Sequence, residues 1–203
     1  MLNIWSTNTL CMQNRYESNE YLLVAYPDKA VLDKIAAEKA IFNETYKLRP
    51  KASAKPHIVI TNFFASDGME ATLVRWLQRI CSLEHGFKLT LNNYSGYPNN
   101  IIFLRVPDAE PIQHFVAQLN PMKDFVQPGP GGFFRRPHLP VSPKLPTVVY
   151  EQALSDYSRK IFHESFVVEE LVLMKRKDFY DPLRTVQVFG LLPANNDLFN
   201  KVA

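Results

Sequence analysis

A seven-residue pattern that occurs twice is the feature that most constrains this chain. It reads KPHIVIT at residues 55–61 and RPHLPVS at residues 136–142. Each copy runs cation, proline, histidine, apolar, variable, apolar, hydroxyl. Because alternate side chains of a strand share a face, the cation, the histidine, the variable residue and the hydroxyl residue are predicted to lie on one face, with the two apolar residues in the core. The pattern therefore presents two histidines to a common space.

The pattern belongs to a larger internal repeat. Apolar runs at 21–26 and 101–106 predict strands, and the first residue of each run precedes its histidine by 36 and 37 residues, respectively. Apolar stripes of helical spacing predict helices at about 29–46, after Asp67 as a candidate cap to residue 83, at 112–119, and at 150–161. Each half then runs strand, helix, histidine strand, helix, strand, with the turn at 94–100 as the joint between halves. Two further strands are predicted at 166–174 and 184–192.

Composition narrows the class of protein. With 203 residues, 46% hydrophobic and 21% charged, the chain fits one large globular domain or two closely packed lobes. A net charge of +3 confines any nucleic-acid contact to a cleft. Only Cys11 and Cys81 are present, which excludes a disulfide framework and a cysteine-rich zinc site. Apolar runs are too short for a membrane span and the start is polar, so we expect a cytoplasmic protein with no membrane contact.

The chain resembles the 2H phosphoesterase superfamily, which includes the 2′-5′ RNA ligase-like and cyclic nucleotide phosphodiesterase proteins. Two Pro-His pairs on strands about eighty residues apart and the closing run 164–175 (ESFVVEELVLMK) carry the resemblance, which covers about 21–192. It implies an α+β fold of two lobes related by a pseudo-twofold duplication, with antiparallel sheets, helices packed outside and a central cleft. We expect an extension at 1–19, one bilobal domain at 20–193 with halves 20–97 and 98–193, and a tail at 194–203.

The resemblance implies that His57 and His138 are catalytic. An unperturbed histidine titrates near pH 6.5, so one ring can accept a proton while the other donates one. This chemistry needs no metal, and no other cofactor is expected. The family pattern places Thr or Ser two residues after each histidine to hold the phosphate, whereas this chain has Val59 and Pro140 there.

Six residues are candidates for binding the substrate. The two cations would hold phosphate oxygens in place of the missing hydroxyls. The two hydroxyl residues lie four positions after each histidine, about 13 Å along an extended strand, and would reach the phosphate only across a bulge. Two loop aromatics would stack on a base. Alternatively, these residues are solvated strand ends, ordinary strand hydroxyls and aromatics that pin a loop. They are Lys55, Arg136, Thr61, Ser142, Phe133 and Phe134.

Three functions follow from this pattern. The first is a phosphoesterase acting on the 2′,3′-cyclic phosphate or 2′-5′ phosphodiester of a nucleotide or RNA end. The second is a catalytically degenerate module that binds a nucleotide or RNA in the same cleft, which the residues Val59 and Pro140 favour. The third is an interaction scaffold whose cleft is empty. A nucleotide or RNA end is the predicted partner, and the sequence identifies no protein partner.

Overall fold

Two antiparallel sheets and four α-helices make up the described part of the chain. The computed structural model describes residues 18–49, 55–97, 99–130, 132–133 and 136–194. The predicted 1–19 extension lies outside these residues except for its last two, which begin the first strand. In chain order the elements are β1 (Ser18–Ala25), α1 (Lys29–Thr45), β2 (Ile58–Ser66), α2 (Glu70–Cys81), β3 (Phe87–Tyr97), β4 (Ile101–Arg105), α3 (Glu110–Gln118), β5 (Gln127–Pro128), β6 (His138–Pro140), α4 (Thr147–Tyr157), β7 (His163–Val168), β8 (Glu170–Arg176) and β9 (Arg184–Gly190).

The two sheets repeat one plan. The first has the order β5-β2-β1-β8-β9 and the second the order β6-β4-β3-β7. In each, a histidine strand pairs with the first strand of its own half, β2 with β1 and β6 with β4. This shared order agrees with the predicted α+β fold and its pseudo-twofold duplication.

The sheets do not coincide with the sequence halves. Strand β3 of the first half joins the second sheet, and strands β8 and β9 of the second half complete the first sheet. The turn predicted at 94–100 is shorter than expected, because β3 continues to Tyr97 and pairs with β4 as a hairpin within one sheet. Helix α1 follows β1 of the first sheet but also contacts the second sheet, since Lys34 on α1 forms an ion pair with Glu164 on β7.

Local chemistry sets the helix starts. The Asp28 side chain caps α1 by accepting a hydrogen bond of 2.9 Å from the Val31 amide, as an N-cap residue does. The predicted cap at Asp67 is wrong. A 3₁₀ turn at Asp67–Met69 intervenes before α2, and the Asp67 carboxylate accepts a hydrogen bond from Asn19 on β1 instead. Asp67 thus ties the end of β1 to the turn rather than capping a helix.

The segment predicted as one strand at 166–174 is two strands. Strand β7 pairs with β3 in the second sheet and β8 pairs with β1 in the first, so the chain changes sheets at Glu169. A run of apolar residues does not record which neighbour each strand pairs with, which explains the error. His163, two residues after the helix predicted at 150–161, begins β7 opposite Asn92. Among the described residues, no helix is both long and apolar enough to cross a bilayer.

One hydrophobic core is shared by both sheets. A column of stacked rings passes through it: Tyr21 on β1 stacks on Phe63 of β2 at 5.7 Å, and Phe63 stacks on Phe133 at 6.0 Å. Burial of one such ring contributes about 1.5–3 kcal/mol. Since Phe133 precedes β6, the column joins the first sheet to the segment that leads to the second histidine.

Candidate active site

His57 lies immediately before β2 and is half-buried. Its Nδ1 atom is 2.9 Å from the carbonyl oxygen of Lys55. A carbonyl oxygen only accepts hydrogen bonds, so Nδ1 carries the proton and donates it. In the neutral ring the lone pair is then on Nε2, the nitrogen that can take a proton.

His138 has the same arrangement 81 residues later. It is the first residue of β6, is half-buried, and its Nδ1 atom is 3.0 Å from the carbonyl oxygen of Arg136. Pro137 separates the two residues, as Pro56 separates Lys55 from His57, and proline disfavours a helical conformation of the residue before it. The repeated sequence thus forms the same contact twice, in which each ring is held by a hydrogen bond to the carbonyl oxygen two residues upstream.

Aromatic rings orient both imidazoles. Tyr26, next after β1, contacts His57 edge-on at 5.9 Å and 75°. Tyr97 and Phe103 contact His138 edge-on at 4.9 Å and 5.2 Å. Sequence reasoning missed these contacts. They depend on the sheet order, which puts the strand of each aromatic beside the histidine strand or one strand further away.

The surroundings of His57 lower its pKa. Burial is the main cause, the positive charge of Lys39 adds to it, and the hydrogen bond to Lys55 opposes it. Lys39 is half-buried on α1, where burial lowers its own pKa. Sequence reasoning missed Lys39 as well, although its spacing from Ile35 and Phe42 places it on the buried stripe of the helix. His57 is therefore neutral at pH 7, the form that accepts a proton.

The two predicted phosphate-binding cations both have exposed side chains. The Lys55 ammonium lies 4.4 Å from the centroid of the Tyr26 ring, the same ring that contacts His57. Arg136 accepts the hydrogen bond of His138 with its carbonyl oxygen and is exposed to solvent. Each histidine accordingly has a cation two residues away that an anion in solvent can reach.

A bulge moves Thr61 off the histidine face. Leu23 pairs with Thr61 and Val24 with Val59, so Ile60 is an extra residue in β2. The Thr61 side chain is fully buried, and its Oγ1 donates a hydrogen bond of 2.6 Å to the carbonyl oxygen of Phe133. A bulge is therefore present, but it turns the hydroxyl into the core rather than toward a phosphate. The expectation that Thr61 shares a face with His57 is wrong.

Ser142 is also engaged by the backbone. It is buried, its Oγ accepts a hydrogen bond of 2.9 Å from the Ile102 amide, and it donates one of 2.8 Å to the Pro143 carbonyl. The amides of Val141 and Ser142 both donate to the Ile102 carbonyl, so the second histidine strand ends in an irregularity as the first contains one. Both hydroxyls of the repeated pattern thus fasten strands.

The loop aromatics and the variable positions complete the predicted set. Phe133 is 7% exposed and packs in the core against Phe63, away from any position where it could stack on a base in solvent. Phe134 lies outside the described residues. Val59 is half-buried. It lies opposite Val24 and packs on a small apolar cluster on the face of the first sheet where His57 lies. Pro140, in contrast, is exposed on β6.

The two histidine strands meet at the junction of the sheets. Cα atoms of β2 and β6 approach within 8 Å of one another. Within the described ranges, no three or more His, Cys, Asp or Glu side chains are grouped to hold a metal ion. Groups near these strands that can move protons or attract anions include the two imidazoles, the cations two residues before them, and Arg105, which lies opposite His138 on β4.

A family comparison matches most of the chain. The family model described as "2′-5′ RNA ligase superfamily" matches residues 30–178. That span contains both copies of the seven-residue pattern and ends in the turn after β8. No curated protein sequence matches the chain at a significant level.

Solved structures share the fold at low sequence identity. Apo LigT of E. coli aligns with a TM-score of 0.60 and 16% identity over 87% of this chain and 99% of its own. The E. coli LigT complex with 3′-AMP aligns with a TM-score of 0.61 and 17% identity over 86% and 99%. The protein TT0787 of Thermus thermophilus aligns with a TM-score of 0.60 and 16% identity over 85% and 97%. The chain thus covers nearly the full length of each of these proteins.

Proposed function

The chain belongs to the 2′-5′ RNA ligase superfamily, and from that membership we propose that it is a phosphoesterase that opens a 2′,3′-cyclic phosphate or a 2′-5′ phosphodiester on a nucleotide or RNA end. His57 and His138 are the acid and base, and the chemistry uses no metal. The binding of 3′-AMP by E. coli LigT, which shares the fold, supports a nucleotide ligand.

The observation that carries the proposal is the matched setting of the two rings. Each imidazole donates Nδ1–H to the carbonyl two residues upstream, at 2.9 Å and 3.0 Å, and each is held by edge-on aromatics. Both rings thereby have the same tautomer, with the lone pair of the neutral ring on Nε2. A single structural histidine needs no such copy on a second strand that approaches the first.

His57 is the base in hydrolysis. Its lowered pKa keeps Nε2 unprotonated, so it takes a proton from water as the water oxygen bonds to phosphorus. His138 in its charged form gives the Nε2 proton to the ribose oxygen as the phosphorus–oxygen bond to that oxygen breaks. The proton taken by His57 and the proton lost by His138 return through solvent, which balances the cycle.

The exposed cations hold the phosphate in this proposal. Lys55 and Arg136 flank the two histidines, and Arg can grip two phosphate oxygens at once. They replace the hydroxyls that the family pattern would place at Val59 and Pro140. Thr61 and Ser142 contribute through the fold, because their hydroxyls are bonded to backbone.

A binding module is the second candidate function, and the same two positions favour it. Valine and proline offer no side-chain hydrogen bond to a phosphate that becomes more negative at its outer oxygens in the transition state. A cleft that keeps the histidines and cations but lacks those donors would bind a nucleotide or RNA end without turning it over.

One assay separates the two functions. Wild type, His57→Ala and His138→Ala are incubated without added metal with 2′,3′-cyclic nucleotides and with 2′-5′-linked dinucleotides, and binding of 3′-AMP is measured in parallel. The enzyme predicts turnover by wild type that falls about 10²- to 10⁴-fold in each variant, the usual contribution of a general acid or base. Equal, negligible rates with nucleotide binding retained would establish the binding module instead.

A further inference from the structure

We propose that Thr61 is a positioning residue that sets the distance between the strand carrying His57 and the segment that delivers His138. The inference rests on the proposed function, in which both rings act on one phosphate. It assigns a role to a hydroxyl that lies in the repeated pattern but does not face the histidine.

The first support is the bond itself. Thr61 lies on β2 four residues after His57, and its Oγ1 donates a hydrogen bond of 2.6 Å to the carbonyl oxygen of Phe133, five residues before His138. The Thr61 side chain is fully buried, so water does not compete for the bond. The bond joins a strand of the first sheet to the segment that enters the second.

Two further contacts fasten the same segment to β2. The Phe133 ring stacks on Phe63 at 6.0 Å, and the Gly129 amide donates a hydrogen bond of 3.1 Å to the Asn62 carbonyl. Asn62 and Phe63 directly follow Thr61 in the sequence. A Pro/Gly-rich stretch that composition alone would leave free is therefore attached to three consecutive residues of the first histidine strand.

The chemistry of the bond identifies the hydroxyl as the essential group. Replacing Thr61 with valine keeps the shape of the side chain but removes the donor, leaving a buried carbonyl oxygen without this partner. A buried acceptor that loses its donor moves to find another. A displacement of about 1 Å between reacting groups lowers a rate by about 100-fold. Serine keeps the donor and loses only a methyl group.

The test compares Thr61→Val with Thr61→Ser and with a matched control. The control is Thr90→Val, which removes a strand hydroxyl that bonds Ser165 at 2.9 Å inside the second sheet. We expect Thr61→Val to lower kcat for a 2′,3′-cyclic nucleotide about 10- to 100-fold, because His138 shifts relative to His57. KM should rise by a smaller factor, because Lys55 stays in place while Arg136 moves with His138. Thr61→Ser should restore most of the rate, and Thr90→Val should keep kcat within about twofold. Each variant's thermal midpoint is measured alongside.

Two results would overturn the proposal. In one, Thr61→Val turns over at the wild-type rate. In the other, Thr61→Val and Thr90→Val lose activity in the same proportion to their loss of thermal stability, which would make the hydroxyl a general stabilising group.

A second readout keeps this inference separate from the proposed function. If wild type shows no turnover, the imidazole signals of His57 and His138 are followed by NMR, together with hydrogen exchange of the Gly129 and Gly132 amides. Thr61→Val should shift the His138 signal and accelerate both amides, whereas Thr90→Val should change neither. An unchanged His138 signal in Thr61→Val would refute the positioning role even in an inactive protein.

Discussion

The Nδ1 atom of His57 lies 2.9 Å from the carbonyl oxygen of Lys55, and this contact fixes which ring nitrogen carries the proton. A nitrogen that donates to a carbonyl is protonated, so Nε2 holds the lone pair in the neutral ring. The same contact is made by His138, and in the proposed mechanism protons pass through the two Nε2 atoms.

The first prediction concerns pH. Burial and the charge of Lys39 lower the pKa of His57, so the ring should titrate below its ordinary value of 6.5 and catalysis should persist below that pH. The pKa of His57 is lower in the folded chain than in the unfolded chain, so the unfolded chain binds the proton more tightly. The contribution of His57 to the free energy of unfolding is therefore complete above pH 6.5 and is lost as the pH falls. NMR titration of the His57 ring measures the midpoint.

Replacing Lys39 tests the cause of that shift. Lys39→Met should raise the His57 midpoint toward 6.5, because the positive charge that opposes protonation is gone. Lys34→Met is the control, since Lys34 lies on the same helix but pairs with Glu164. A midpoint that responds equally to both changes would show that the charge of Lys39 makes no specific contribution to the shift.

The second prediction concerns the exposed cations. Lys55→Gln and Arg136→Gln should each raise KM for a cyclic nucleotide about fivefold, corresponding to roughly 1 kcal/mol for an exposed ion pair, with a smaller effect in high salt. The measurement is KM at two ionic strengths. Lys88→Gln, which removes an exposed charge at the end of β3 far from Tyr97, should leave KM unchanged. Equal KM values for all three variants would exclude these cations from phosphate binding.

The third prediction concerns the missing hydroxyls. Val59→Thr and Pro140→Thr should raise kcat/KM, since one hydrogen bond to a charged group contributes about 1.5–3 kcal/mol, or about 10- to 100-fold. Hydrolysis of a 2′,3′-cyclic nucleotide is the assay. Val188→Thr adds a hydroxyl to a partly exposed site on β9 and should have no effect. If the double variant Val59→Thr/Pro140→Thr is no faster than wild type, the idea that these positions limit catalysis is refuted.

The fourth prediction concerns Gly129. A Cβ there would collide with the side-chain amide of Asn62, so Gly129→Ala must displace Asn62 or the loop and should lower the free energy of unfolding by about 1–3 kcal/mol. At Gly190 a Cβ would meet nothing within 4 Å, so Gly190→Ala should be neutral or slightly stabilising. Urea denaturation of the two variants is the comparison. A smaller loss at Gly129 than at Gly190 would contradict this packing.

Local patterns predicted the elements that depend on near neighbours. Helix α1 begins after Asp28 and buries Val31, Ile35 and Phe42 as its spacing indicated, and the strands at 21–26 and 101–106 lie close to their predicted positions. Both signals arise from residues within one or two turns or along one strand. They require no knowledge of the partner element.

Features that depend on distant partners were not predictable in this way. The extra residue Ile60 in β2 is visible only against the register of β1, and the change of sheets at Glu169 is visible only against β3 and β1. Strand β5 in the Pro/Gly stretch exists because Gln127 and Pro128 pair with β2. For the site, the sequence pattern placed His57 near the start of its strand, one residue from where β2 begins, but it placed Thr61 on the wrong face, because the bulge falls between them.

The exchange of strands between the sequence halves bears on synthesis of the protein. Strand β1 is an inner strand of the first sheet, yet its second neighbour, β8, ends at Arg176. Until that part of the chain leaves the ribosome, one edge of β1 has unpaired amides and carbonyls, the arrangement that promotes aggregation. Pairing across about 150 residues also slows folding. The nascent chain is therefore expected to depend on chaperones until β8 is made, and the first half expressed alone should be insoluble.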